Sequence, residues 1–161
     1  MCKGLIALVG LVGIVFNPAY AVSETFDELR LIDVQTDIGG HRFILKGNGE
    51  YEIKIVKPSR SGQNNEEFIG YLDSRDLKRI NRALKASRFE TINLPSTKGG
   101  VSDSGPVIQL ISNGNTVTRQ KMTGIRHRRF DELYGTLLAI INKIGRKKRL
   151  QPEESDNPVL P

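Results

Sequence analysis

Three arginines and a histidine crowd the stretch TGIRHRRFDELYGTLLAI, residues 123–140, directly ahead of apolar residues at helical spacing. A guanidinium presents a planar fork of N–H donors that matches carboxylate or phosphate oxygens two at a time. A helix start adds free backbone N–H groups and the positive end of the helix dipole. Arg126, His127, Arg128 and Arg129, with Arg119 and Lys121 just upstream, are therefore the candidate set for binding an anionic partner. Positive side chains at that end of a helix oppose the dipole by roughly 0.3–1 kcal/mol each, and Asp131 and Glu132 offset this only in part. A locally unfavourable choice hints at another use, the plain alternative being a solvated charged shoulder.

Arrangements for catalysis are thin. His41 and His127 are the only histidines, and no carboxylate is spaced with either to make a recognisable metal motif, so no metal or cofactor is expected. Asp103-Ser104-Gly105 has the letters of an aspartic-protease signature, but Lys98-Gly99-Gly100-Val101-Ser102 precedes it where an apolar strand is needed. An Asx-type turn is the expected reading. Lys98-Gly99-Gly100 also lacks the Gly-x-x-x-x-Gly-Lys spacing of a phosphate loop. A Ser-His-Asp triad need not be close in sequence, yet no nucleophile motif supports one. No catalytic residue is assigned.

Charge carries more information. The chain has 24 Lys+Arg against 18 Asp+Glu, a net of +6. Residues 22–118 hold equal numbers of each sign, whereas residues 119–149 hold ten basic and two acidic residues. A one-sided field of this kind steers anionic partners to a surface.

The N-terminus supplies the compartment. Lys3, an uncharged apolar run from Gly4 to Phe16, then Pro18 and Ala19-Tyr20-Ala21 have the layout of a secretory signal peptide, with cleavage expected after Ala21. The run falls short of the ~20 residues that cross a bilayer. The only cysteine, Cys2, would leave with it. A secreted or periplasmic chain would then fold without disulfides, and its chemistry would exclude thiol catalysis and thiolate metal sites. No transmembrane segment is expected after cleavage, and export argues against nucleic acid as a partner.

The elements that must position these residues follow from periodicity. Two-residue alternation predicts strands at 29–36, 41–46 and 51–57, the last two joined at Gly47-Asn48-Gly49. Residues 58–67 read as a surface loop, after which Phe68, Ile69, Tyr71 and Leu72 return to the core. Asp73 is an N-cap for a helix to about Arg88, with Leu72 and Leu77 as a hydrophobic staple. Its Leu77, Ile80 and Leu84 face inward, and Arg75, Lys78, Arg79, Arg82 and Lys85 face outward. A second hairpin is predicted from 107–111 and 116–121 around Ser112-Asn113-Gly114-Asn115. Phe130, Leu133, Leu137, Ile141 and Ile144 mark the second helix, which Gly145 is expected to end at C′. One α+β domain over 22–145 follows, an antiparallel sheet of two hairpins plus an N-terminal strand with both amphipathic helices on one face. Residues 146–161 read as a basic stretch and a disordered tail.

This order of elements, with FILKGNGEYEIKIV, LKASRFETIN, Asp103, VIQLISNGNTV and the closing amphipathic helix, resembles a group of uncharacterised exported bacterial domains of unknown function. The resemblance covers about residues 29–144. Many of that group carry a Cys-x-x-x-Cys-Pro segment before the first hairpin, and TDIGGHRF here has no cysteine. The resemblance implies a fold but no activity. The sequence thus points to an exported noncatalytic binding domain whose basic surface meets an acidic protein, a polysaccharide or anionic lipid headgroups. An envelope enzyme, hydrolase-like and with a scattered active site, is the alternative.

Overall fold

The computed structural model describes residues 26–35, 37–94 and 105–150. The proposed signal segment, Asp103-Ser104 and the C-terminal tail lie outside these residues. The strands are β1 (Glu28–Gln35), β2 (Gly39–Lys46), β3 (Glu50–Val56), β4 (Glu66–Tyr71), β5 (Val107–Ser112) and β6 (Asn115–Gln120). Helix α1 spans Ser74–Ser87, a 3-10 turn follows at Phe89–Thr91, and α2 spans Arg128–Leu150. All six strands form one antiparallel sheet in the order β4-β3-β2-β1-β5-β6.

Alternation decides which face is covered. Leu31 stands opposite Phe43 and Ile108, Phe43 opposite Ile53, and Ile53 opposite Phe68, so one row of apolar side chains crosses five strands. Leu29, Leu45, Tyr51 and Leu110 make the next row. These residues join Leu77, Ile80 and Leu84 of α1 and Phe130, Leu133 and Leu137 of α2 in one core cluster. Both helices therefore pack on the same face, the one that carries these unbroken apolar rows. The opposite face is mixed, with exposed Arg42, Glu52 and Glu67 interleaved with Ile32, Ile44 and Ile69.

Three boundaries differ from the sequence expectation. The segment after the 58–67 loop is a full sixth strand that starts at Glu66; only Phe68 of its large apolar residues points inward, while Ile69 and Tyr71 stay exposed. The second hairpin turns on two residues, Asn113 and Gly114, both with positive φ, which suits the twist of tightly paired strands. Gly145 does not end α2. The helix runs on to Leu150, and Gly145 is buried in it, where a Cβ would lie 3.4 Å from the Ile55 side chain and 3.7 Å from the Phe68 ring. The glycine serves close approach of helix to sheet, and residues 146–149 are the last turn rather than a separate stretch.

Ile80 and Leu133 are wholly inaccessible to solvent. Ile80→Asp and Leu133→Asp each place an unpaired carboxylate there, with an expected loss of about 4 kcal/mol or more. Chemical denaturation should find both variants largely unfolded, and parental midpoints would refute the stated helix faces.

Candidate anion-binding surface

The six residues singled out around the start of α2 turn out to do different work. His127 is the N-cap: its Nδ1 accepts from the Phe130 N–H at 3.3 Å, and its own N–H donates to Asp131 Oδ2 at 3.0 Å. Lys121 at the end of β6 pairs with the other oxygen of Asp131, and its ammonium also lies 5.9 Å from the Phe130 ring centroid. Burial opposes ionisation of Asp131, but the Lys121 bond, the His127 N–H and the Lys121 charge outweigh it and hold the carboxyl below its usual range.

Arg119 and Arg129 converge on the 3-10 turn. Arg119 donates to the Glu90 carbonyl and, at 3.0 Å, to the Thr118 carbonyl. Arg129 donates to Thr91 Oγ1 at 3.2 Å. Both strap the turn to β6 and α2, and the Nε of each is buried with no acceptor among the described residues. Arg128 is paired with Glu132 one helical turn on at 2.9 Å, with both side chains well exposed. That leaves Arg126, exposed and bonded to nothing among the described residues.

The cluster is thus brought together, but four of its six members hold the local fold. Nor is the segment 119–149 a single patch. At 1.5 Å per residue, α2 is about 34 Å long, so Arg126–Arg129 and Arg146–Arg149 lie at opposite ends.

A larger field lies on α1. Arg75, Lys78, Arg79, Arg82, Lys85 and Arg88 are all exposed, and none is in an ion pair among the described residues. The spacing puts the helical ones on one side, and Arg88 extends the line through the left-handed cap. The only acid within α1, Asp76, is buried and faces Lys143 of α2 at 2.6 Å; Asp73 also takes Lys143, at 3.3 Å. The α1 line ends beside the α2 start, because Thr91, three residues past Arg88, is the group Arg129 grips. The outward cations of α1 were legible in the sequence. Their lack of acidic partners was not, since the neutral sum over residues 22–118 includes carboxylates that the fold spends elsewhere.

One further polar group sits under α2. Asp33 and His41 face each other across β1 and β2 on the covered side of the sheet, and the Tyr134 hydroxyl donates to Asp33. Burial pushes the His41 pKa down, partly opposed by the Asp33 charge. Burial and the Asp33 bond push the Tyr134 phenol well above its usual range. A phenol so held is a poor base or nucleophile, and the arrangement works as a clamp between α2 and β1. Among the described residues no group of three or more His, Cys, Asp or Glu is placed to hold a metal ion, and no helix is long and apolar enough to cross a membrane. No protein-family model and no curated protein matches the chain.

Two outcomes follow from this geometry. Tyr134→Phe removes the donor to a partly buried carboxylate and should cost about 1–3 kcal/mol in denaturant unfolding. Asp131, Asp73 and Glu66 are all held below the ordinary carboxylate range, Asp73 chiefly by the Asp76 N–H and Glu66 chiefly by Lys57. Their stabilisation is therefore complete above the unfolded pKa of about 4 and is lost as pH falls through the lower folded values. The melting temperature should hold from neutrality to about pH 5 and fall below about pH 4. Asp131→Asn should melt earlier than the parent at neutral pH, the gap closing in acid; a gap independent of pH would contradict the Asp131 assignment.

Proposed function

We propose that this protein is an exported, noncatalytic binding domain that holds an acidic polysaccharide along the outer side of α1 and onto the start of α2. The observation that carries the reading is the line of five exposed α1 cations, extended by Arg88 at its cap, with no carboxylate partner among the described residues. Its fourteen helical residues make a straight track about 21 Å long, suited to a linear polyanion that meets a charge at each turn. A lipid surface fits less well, because a helix lying in a membrane interface turns its apolar face to the lipid, and the apolar face of α1 is consumed by the core. Arg126 and Arg128 extend the track, while Arg119, Lys121, His127 and Arg129 keep its far end in shape.

Because these charges are exposed, their attraction is screened by salt. Immobilised polygalacturonate should retain the protein at about 50 mM salt and release it by about 500 mM, where the Debye length has shrunk roughly threefold. Arg75, Arg79 and Arg82 replaced together by Gln should weaken retention by about tenfold or more without changing the melting temperature, and Arg126→Gln with Arg128→Gln should weaken it less. Retention untouched by salt and by the triple replacement would remove the reading. Preferential binding to phosphatidylglycerol vesicles would replace the polysaccharide with a membrane.

A further inference from the structure

A cavity of about 550 Å³ opens at the other end of the helix layer, where the β3–β4 edge meets the start of α1 and the last turns of α2. That volume lies in the ordinary range for sites that take a small organic molecule. Leu72 and Ile144 give it an apolar floor, and Tyr51 and Tyr71, Asp73 and Asp76, and Lys143, Lys147 and Lys148 supply its polar groups. Its lining comes from three separate stretches of chain, so no local sequence pattern marks it.

Tyr51 is the informative residue. It points to the covered face of β3 opposite Gly70 of β4, and a Cβ on Gly70 would stand only 2.8 Å from the phenol oxygen. The missing side chain makes the room in which the hydroxyl sits. Tyr51 is 6% exposed, it lines the cavity, and nothing among the described residues bonds its hydroxyl. Burial alone pushes the phenol pKa up, as expected of a hydroxyl without a charged or hydrogen-bonded neighbour. A desolvated donor that faces a cavity calls for an acceptor there.

The charges define the rest of the ligand. Lys143 is committed to Asp76 and Asp73 and neutralises much of their charge. Lys147, one helical turn further along α2, has no carboxylate partner among the described residues and adds a surplus positive charge. Asp73 accepts from the Asp76 N–H and from Lys143, and its two oxygens still have lone pairs to spare. An occupant must therefore carry one negative charge for Lys147, an acceptor for Tyr51 and donors for Asp73, around a body that rests on Leu72 and Ile144. A hydroxyl is both donor and acceptor, so polyhydroxylated acids satisfy all three demands at once.

We infer that this cavity is a binding site for a small hydroxylated organic acid, a sugar acid of the hexuronate type, with its carboxylate on Lys147 and a ring oxygen or hydroxyl on Tyr51. The inference is independent of the polymer track on α1, since it rests on a different set of side chains and is read with a monomeric probe.

The test is a titration of the isotope-labelled protein, purified as it accumulates in cells, followed by amide chemical shifts. Glucuronate should give saturable shifts at Tyr51, Gly70 and Lys147, and glucose and alanine should bind at least about tenfold more weakly, each lacking part of the required set. Lys147→Gln and Tyr51→Phe should each weaken glucuronate by about tenfold, whereas Lys54→Gln, the same loss of charge on the uncovered face of the sheet, should leave it unchanged. Absence of saturable shifts, shifts confined to the outer side of α1, or equal affinity for glucuronate in parent, Lys147→Gln and Tyr51→Phe would overturn the site. Alanine binding as tightly as glucuronate would overturn the ligand class. Loss of polygalacturonate retention with these shifts intact would leave the cavity standing and remove only the α1 track.

Discussion

The fold depends on β1 being paired on both sides. Its Leu29 and Leu31 stand opposite Leu45 and Phe43 of β2 on one flank and opposite Leu110 and Ile108 of β5 on the other. The meander β1 to β4 and the hairpin β5–β6 are otherwise separate pieces of four and two strands. Joined through β1 they form a six-stranded face wide enough for two helices side by side. Asp27 reinforces the joint at one end: its N–H donates to the Ile111 carbonyl, its carbonyl accepts from Gly47, and its carboxylate accepts from the Asn113 N–H at 2.7 Å. Pairing over such sequence distances carries a loop-closure cost, which the continuous apolar row through Leu31 has to offset.

Apolar burial sets which face the helices cover but says little about where along it they stop. That choice is made by polar ties at the rim. Tyr134 bonds Asp33 beneath α2, Lys143 spans Asp73 and Asp76 at the start of α1, Arg149 reaches Glu66 on β4 at 2.9 Å, and Arg129 takes Thr91 past the end of α1. The helices must then run antiparallel, each end fastened to something different. Surface ion pairs contribute little stability singly, yet in fixed positions they discriminate between registers that bury similar area. They also consume carboxylates. Asp73, Asp76, Glu66 and Asp131 are all occupied in this way, and the outer side of α1 is left with cations alone.

Sequence carried the parts of the fold that depend on local period. The inward faces of both helices, the Asp73 cap and the two hairpins follow from spacing and turn chemistry, and the structure has them. β4 is obscured because Glu66-Glu67-Phe68-Ile69-Gly70-Tyr71 places two of its three large apolar residues, Ile69 and Tyr71, on the solvent side and a glycine on the core side. Gly145 has the local signature of a cap, because a glycine near a helix end signals one unless the sheet beneath it demands contact, and only tertiary packing supplies that demand. Parity did contain an unused signal. Counting inward by twos from Leu29 and Leu31 puts Asp33 on the covered face, and from Leu45 and Phe43 it puts His41 there. Two polar residues aimed at a helix require a polar answer from that helix, and Tyr134 gives it.

The same reasoning limits what net charge can say about a binding surface. A count along the chain weights every charge equally, so residues 119–149 stand out and residues 74–88 do not. In the fold a cation acts on a partner only to the extent that no neighbouring anion already answers it. Lys121 and Lys143 are partly buried or bridged by carboxylates, and their fields are largely spent locally. The α1 cations meet no such acid, and low-dielectric core lies behind them, so their field lines run outward into solvent. The candidate surface is therefore set less by where lysine and arginine occur than by where the fold has withdrawn aspartate and glutamate.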